Sequence, residues 1–229
     1  ELYAKKILQI NKDDITLSVP KLFFGYATGT NLLFPFAVGG ATALFAERSS
    51  AETIFRMIDR YKPTILTSVP TMINAMLQVE GARGRYDLTS LRFCLSAGEA
   101  LPPELYDRWM QTFGVEILDG IGSAEMFHIY ITNSLGDVKP GSLGKLVPGY
   151  EAAIVDGEGS EVPTGEMGTL KIKGDSAALC YWNAHEKSKT TFAGDWCTTG
   201  DQFRVDDEGY YWYCGRTDEM LKVGGIFVS

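Results

Sequence analysis

The 229-residue sequence lacks the features of several specialised protein classes. No apolar run is long enough to cross a bilayer, and residues 1–6 do not have the basic-then-apolar order of a signal peptide. The 21 basic residues are outnumbered by 29 acidic ones, so the net charge of −8 opposes non-specific binding to nucleic acid or to an anionic membrane. We therefore expect no membrane span, no nucleic-acid partner and a cytoplasmic location.

Cysteine and histidine are also scarce. The four cysteines form no close pair and there are only two histidines, so the sequence indicates neither a zinc cluster nor a redox dithiol. The composition is otherwise that of a globular protein, with 45% hydrophobic and 12% aromatic residues over a length that suits one large domain or two small ones. A start at Glu1 and an apolar end predict a fragment of a longer protein.

Between residues 41 and 119, short β-branched runs alternate with amphipathic helical segments. Strands are predicted over 41–46, 65–69, 91–96 and 115–119, and helices over 49–61, 70–78 and 103–113. The first helix is expected to open with a capping box from Ser49 to Glu52, and the third to end at Gly114. The sequence thus predicts an α/β fold, a parallel sheet with helices on both faces, and ligands beyond the carboxyl ends of its strands.

The pattern changes near residue 140. Strand-like runs at 150–155, 169–173, 202–205 and 210–213 are joined by short acidic turns, which lack the ligand spacing of calcium loops. These runs predict a smaller, distorted antiparallel β-barrel subdomain. We divide the chain into an α/β subdomain over 1–139, a barrel-like subdomain over 140–215, and the start of a hinge over 216–229.

Glycine-rich segments follow several of the predicted strands. Gly120 to Glu125 resembles the first half of a dinucleotide-binding fingerprint and is expected to open a helix, but the third glycine is missing. Glu125 stands in its place, and a carboxylate beside a pyrophosphate needs a cation between them, so the segment suits a magnesium nucleotide better than a nicotinamide dinucleotide. The alternative is that Glu125 only favours a helix dipole and that the glycines only turn the chain.

Three other side chains are candidates for binding. Asp201 could accept hydrogen bonds from both hydroxyl groups of a ribose, or simply stabilise a turn. Arg216 suits phosphate or ribose oxygens, or pairs with Asp218 at the surface. His128 is either a core histidine or a pocket wall, whereas the other histidine, among charged residues, is expected to be exposed.

In their order and spacing, these segments resemble the adenylate-forming superfamily of acyl-CoA synthetases, peptide-synthetase adenylation domains and luciferases. Within it, they resemble most the benzoate-type aryl-CoA ligases. The motifs are Ser96-Ala-Gly-Glu-Ala-Leu-Pro102, Leu118-Asp-Gly-Ile-Gly-Ser-Ala-Glu-Met126, Gly141-Ser-Leu-Gly144, Thr199-Gly-Asp201 and Gly215-Arg-Thr-Asp218 with Lys222-Val-x-Gly. The resemblance implies that a carboxylic acid is activated with ATP to an acyl-adenylate and then transferred to coenzyme A.

The resemblance also implies roles for individual residues. Adenine would lie between two walls, one formed by Ala97, Gly98 and Glu99 and the other by Asp119, Gly120 and Ile121. Gly122, Ser123 and Ala124 would also bind the nucleotide, and Glu125 would be both the magnesium ligand and the catalytic residue. Asp201 would bind the ribose, and Arg216 the ribose or the phosphates. Ala124 stands where the family usually has threonine, which removes one phosphate hydrogen bond of about 1 kcal/mol. The aromatic acid would lie against Gly25, Tyr26, His128 and Ile129, which would otherwise be plain core.

The family's phosphate loop with its lysine and the C-terminal domain with the adenylation lysine do not occur within residues 1–229. We therefore expect this chain alone to bind nucleotide or aromatic acid weakly and to turn over negligibly. A non-catalytic nucleotide-binding module remains the alternative, and a nicotinamide-dependent oxidoreductase is disfavoured by the missing glycine. The sequence leaves the preferred acid and homo-oligomer formation open.

Overall fold

A seven-stranded sheet forms the first layer of the fold. The computed structural model describes residues 2–217 together with the backbone of 221–223 and 226–228. The strands are Ile15–Ser18 (β1), Ala41–Ala43 (β2), Ile65–Ser68 (β3), Phe93–Ser96 (β4), Ile117–Gly122 (β5), Ile129–Thr132 (β6) and Lys145–Leu146 (β7). They lie in the order β2-β1-β3-β4-β5-β6-β7. The first five strands pair in parallel, which confirms the predicted parallel sheet, although β1 was not among the predicted strands. Strands β6 and β7 extend the sheet with antiparallel pairing.

Helices cover both faces of this sheet, which confirms the predicted α/β class. Because side chains alternate along a strand, Leu66 lies in one core with Ile58 and Trp109, while Ile65 lies in the other core with Tyr3. The α-helices are Gly25–Thr28 (α1), Phe34–Val38 (α2), Ala51–Tyr61 (α3), Pro70–Leu77 (α4), Ala82–Arg85 (α5), Pro103–Phe113 (α6) and His185–Thr191 (α7), with π-helical turns at Tyr3–Ile7 and Gly29–Leu33.

The ends of α3 and α6 show how local sequence sets these helices. Ser50, not Ser49, caps α3, because its side chain accepts a hydrogen bond from the Thr53 amide at 3.2 Å. The Ser49 hydroxyl instead donates to the Val19 carbonyl at 2.7 Å, so the expected capping box is wrong by one residue. Gly114 ends α6 in the left-handed conformation at φ +69°, as predicted.

An antiparallel sheet forms the second layer, which confirms the predicted change of architecture. Its strands are Glu151–Val155 (β8), Gly168–Lys173 (β9), Phe192–Ala193 (β10), Trp196–Val205 (β11) and Tyr211–Arg216 (β12), and a separate hairpin joins Leu221–Val223 (β13) to Ile226–Val228 (β14). The sheet order is β10-β11-β9-β8, and β12 pairs with β11. The acidic turns are hairpin turns: Asp156 Oδ1 accepts from the amides of Glu158 and Ser160, both at 2.9 Å.

The chain passes from the first sheet to the second between Leu146 and Glu151. The subdomain boundary near residue 140 stays a prediction. Lys139 links them, since its Nζ lies 2.9 Å from Asp206 and 2.7 Å from Glu208 in the β11–β12 turn. Among the described residues, no helix is both long and apolar enough to cross a membrane.

Candidate functional site

The carboxyl ends of β4 and β5 lie side by side, with Ser96 opposite Asp119. After β4 the chain passes through buried Ala97 and then turns at Gly98, whose φ of +90° favours glycine. The carboxylate of Glu99 turns toward α4, where Oε2 accepts from the amide of Thr71 at 2.9 Å and from its hydroxyl at 2.5 Å. This side chain therefore caps α4, and the expected contact of Glu99 with adenine stays a prediction.

Asp119 has a buried carboxyl group with one oxygen that no protein group partners. Its side chain is buried, and Oδ1 has no hydrogen-bond partner. Burial raises the pKa of Asp119 from 3.8 to about 8. Because buried polar atoms are normally hydrogen-bonded, the unpartnered oxygen is an exception that singles out Asp119 among the residues of β5.

The raised pKa of Asp119 predicts a pH-dependent stability. Between about pH 4 and about pH 8 the unfolded chain has an ionised Asp119 while the folded chain keeps it protonated, so this group lowers stability as pH rises. We expect the free energy of unfolding of Asp119→Asn, relative to the parent protein, to increase steadily over this range in urea titrations. Exposed Asp107→Asn is the control, and a difference for Asp119→Asn that does not vary with pH would contradict the prediction.

Gly120 and Gly122 allow β5 to approach β6. A Cβ atom at Gly120 would lie 2.7 Å from the Ile131 carbonyl oxygen, and one at Gly122 would lie 2.4 Å from the His128 carbonyl oxygen. The expectation that this segment opens a helix is wrong, because only a single 3₁₀ turn, Ala124–Met126, follows before the chain returns as β6. Strand pairing therefore explains both glycines without a dinucleotide.

A γ-turn reverses the chain at Phe127. Its φ of +68° and ψ of −49° are accompanied by a hydrogen bond from the His128 amide to the Met126 carbonyl at 2.8 Å. Such a conformation in a non-glycine residue costs about 1–3 kcal/mol and is concentrated at functional sites. The turn places Glu125 and His128 on either side of it, so two predicted site residues are joined by one constrained segment.

Glu125 is half-buried and held by a distant tyrosine. Its Oε1 accepts a hydrogen bond from the Tyr181 hydroxyl at 2.5 Å. Burial would raise the pKa of Glu125, but hydrogen bonds from Tyr181, from its own backbone amide and from Ser123, together with the charge of Lys187, outweigh burial and lower that pKa. Glu125 is therefore an anion at neutral pH and available to a cation.

Asp201 and Arg216 form an ion pair across β11 and β12. They are register partners, and Arg216 Nη1 lies 3.1 Å from Asp201 Oδ1. The expected alternative partner, Asp218, lies outside the described residues. The negative charges of Asp201 and of Glu125 both act on the buried hydroxyl of Tyr130, whose pKa is raised far above its ordinary value, mainly by burial. The second sheet thus brings its candidate ribose-binding residues toward the Glu125 turn.

His128 lies in an aromatic cage with the other predicted acid-binding residues. It is 5% exposed, and burial lowers its pKa to about 4, so the ring is neutral. Its Nε2 lies 3.1 Å from the Tyr26 carbonyl oxygen and must donate, which leaves Nδ1 a buried acceptor with no partner. A Cβ atom at Gly25 would meet the Phe127 carbonyl oxygen at 3.5 Å, and buried Ile129 packs in the same core.

Sequence reasoning missed four residues of this region. Tyr3 and Phe34 contact the His128 ring with centroid distances of 5.4 and 4.8 Å, and a Cβ atom at Gly29 would lie 2.4 Å from it. Tyr181 is 56 positions from Glu125. No local pattern marks any of them, because each joins the site through tertiary contacts. The other histidine, His185, is exposed as expected.

Comparison with known families identifies the family of the chain. Residues 2–182 match the family model described as AMP-binding enzyme. The chain is 49% identical over 230 residues to benzoate–CoA ligase of Thauera aromatica, an alignment that covers 100% of the chain and 44% of that protein. The chain therefore spans less than half the length of this relative.

Solved structures give the same result. The anthranilate CoA ligase AuaEII in complex with anthranoyl-AMP is 47% identical, with a TM-score of 0.92 over 100% of this chain and 44% of that one. A benzoate CoA ligase from Burkholderia xenovorans LB400 is 46% identical, with a TM-score of 0.90 over 98% of this chain and 46% of that one.

Proposed function

Because the chain belongs to the AMP-binding enzyme family, we propose that it is part of a ligase that joins an aromatic carboxylic acid to coenzyme A at the expense of ATP. An oxygen of the acid attacks the α-phosphorus of ATP and pyrophosphate leaves. The thiol sulfur of coenzyme A then attacks the acyl carbon of the adenylate, and AMP and the thiol proton leave. The observation that supports this proposal most directly is the γ-turn that joins Glu125 to the caged His128.

The nucleotide would lie along the ends of β4 and β5. Backbone from Ala97 to Glu99 forms one wall and Asp119 to Ile121 the other. The unpartnered Oδ1 of Asp119 can accept a hydrogen bond from the exocyclic amine of adenine. Asp201 would bind the ribose hydroxyl groups while Arg216 holds its carboxylate in place at 3.1 Å. The chain past Gly122, through Ser123 and Ala124, would approach the phosphates.

Glu125 would hold the magnesium ion that accompanies ATP. The described residues contain no cluster of three or more metal-ligating side chains, and within the segment 123–128 the carboxylate is that of Glu125. That donor set fits Mg²⁺, which is commonly bound through one or two carboxylates and the phosphates of its substrate. When bound, the ion neutralises charge on the phosphates. Glu125 contributes an oriented negative charge on a half-buried turn.

The acid would lie in the cage around His128. Gly25, Tyr26 and Ile129 supply flat apolar walls, and the neutral ring of His128 adds a polar edge without a charge that would need to be desolvated. The proposal that the acid is aromatic is supported by the names of two relatives, a benzoate–CoA ligase and an anthranilate CoA ligase. The acid, ATP and coenzyme A as partners, and the cytoplasmic location, belong to the same proposal.

The test is carboxylate-dependent exchange between ATP and pyrophosphate by the complete polypeptide and by residues 1–229 alone. We expect exchange with benzoate or substituted benzoates, little with short fatty acids, and negligible exchange by residues 1–229. Failure with every acid, together with measurable AMP binding, would instead support a nucleotide-binding module without chemistry.

A pair of glycine variants ties this test to the cage. Gly29→Ala places a methyl group 2.4 Å from the His128 ring, so the ring must shift and the cage proposed for the acid changes shape. We expect the KM for the aromatic acid to rise roughly 10-fold, with little change in the KM for ATP. Gly84→Ala is the control, since nothing lies within 4 Å of the added atom. An equal change in the KM for the acid in both variants would contradict the proposal that the acid binds in the cage.

A further inference from the structure

A loop of the second layer is attached to the Glu125 turn at three points. Ser176 Oγ donates to the Met126 carbonyl at 2.8 Å, and the Ala178 amide donates to the Glu125 carbonyl at 2.7 Å. The third attachment is the 2.5 Å hydrogen bond from the Tyr181 hydroxyl to Glu125 Oε1. Two of these bonds fix the backbone of the turn, whereas the third acts on the carboxylate itself.

Tyr181 is itself held from several sides. Its amide donates to Ser188 Oγ in α7 at 2.9 Å, and its ring contacts Phe192 with a centroid distance of 5.4 Å. Lys187 Nζ lies 4.4 Å from the centre of the same ring. A hydroxyl group fixed in this way restricts the rotation of the carboxylate that it binds.

We propose that Tyr181 is a positioning residue whose hydroxyl group orients the Glu125 carboxylate to bind the magnesium ion of the bound nucleotide. This inference rests on the metal-binding role of Glu125 proposed above. An ionised carboxylate has two oxygens with about four lone-pair positions, so one bond from Tyr181 leaves positions for a metal ion. Partners that hold a ligand in this way typically change metal affinity by 10–100-fold when they are removed.

The test measures ATP binding by the complete polypeptide in calorimetric titrations at a series of Mg²⁺ concentrations. Tyr181→Phe retains the ring and its packing but removes the hydroxyl group. We expect the Mg²⁺ concentration needed for half-maximal ATP affinity to rise roughly 10-fold, with AMP binding in the absence of Mg²⁺ unchanged. Equal loss of metal-free AMP binding would show a merely structural role and overturn the proposal.

Tyr86 provides a matched control. Its hydroxyl also donates to a glutamate, Glu52 Oε2 at 2.5 Å, but this hydrogen bond is exposed and Glu52 lies in the first turn of α3. We expect Tyr86→Phe to leave the Mg²⁺ dependence unchanged. A shift in Tyr86→Phe as large as that in Tyr181→Phe would overturn the proposal, because it would show that the effect is not specific to Glu125.

Two further variants separate this inference from the proposed function. We expect Glu125→Gln to raise the Mg²⁺ requirement and the double variant with Tyr181→Phe to be no worse than Glu125→Gln alone. If Glu125→Gln raises the requirement and Tyr181→Phe does not, the positioning role fails while the metal role of Glu125 stands. If Glu125→Gln has no effect, both fail.

Discussion

The substitution Glu125→Gln is expected to lower the rate of aromatic-acid-dependent ATP–pyrophosphate exchange by about 100-fold or more. Glutamine has nearly the same size and its amide oxygen can still accept the hydrogen bond of the Tyr181 hydroxyl, so the fold of the turn is retained. What is lost is the negative charge, which hydrogen bonding and Lys187 stabilise in the folded protein. Without it, the cation that neutralises the phosphates has no carboxylate from this turn.

The control for this prediction is Glu158→Gln, an exposed glutamate in the turn between β8 and β9. It removes the same charge from the molecule and is expected to leave exchange within about twofold, because exposed charges at a distance are screened by salt. Melting temperatures of both variants should match the parent protein. Exchange by Glu125→Gln at the rate of Glu158→Gln would refute the assigned role.

The substitution Asp14→Ala is expected to destabilise the fold by about 1–3 kcal/mol, because it removes the acceptor of the Thr64 hydroxyl and of the Asn11 amide, while the partly exposed Arg92 can still be solvated. Asp14 is 2% exposed, and Arg92 Nη1 lies 2.7 Å from both of its oxygens. Thr64 Oγ1 donates to Asp14 Oδ1 at 2.7 Å, and the Asn11 amide to Oδ2 at 2.9 Å. One carboxylate thus connects the residues that precede β1, β3 and β4.

The neighbouring residue gives a matched control in urea unfolding. Asp13 is 79% exposed and pairs only with Lys12 among the ion pairs of the described residues, so Asp13→Ala should change the free energy of unfolding by less than about 0.5 kcal/mol. A similar small change for Asp14→Ala would show that the buried network contributes little. The network lies at the amino ends of the strands, so we expect no direct effect on ligand affinity.

Much of the fold follows from local sequence. The helix 103–113 is predicted to the residue because proline starts it, glycine ends it, and Leu105 and Trp109 share one face. Strand β1 was missed, since Ile15–Ser18 is a short run between polar residues whose burial depends on strands far along the chain. The helix expected after Gly122 was wrong for a related reason: pairing with β6 outweighs any local preference of the segment.

The candidate site also has one part that the sequence predicts and another that only the tertiary structure shows. Motif resemblance selects Glu125, Asp201, Arg216 and His128 from the sequence, and the structure shows which of them meet. The pairing of Asp201 with Arg216 is a matter of strand register, which a shift of one residue would abolish. The cage around His128 needs Tyr3, and the orientation of Glu125 needs Tyr181, and neither residue belongs to a motif.

The sequence by itself determined the α/β architecture, the change to antiparallel strands and the acidic character of the protein, and it nominated the candidate ligand-binding residues. The architecture and the acidic character depend on hydrophobic period, turn residues and charge, which are local or additive properties of the chain. The candidate residues come from motif resemblance, and their roles stay predictions. Only the tertiary structure decided that burial leaves His128 neutral, that Asp119 has an unsatisfied oxygen and that Tyr181 holds Glu125. Desolvation and hydrogen-bond geometry depend on which distant residues surround a group, and local sequence spacing does not contain that information.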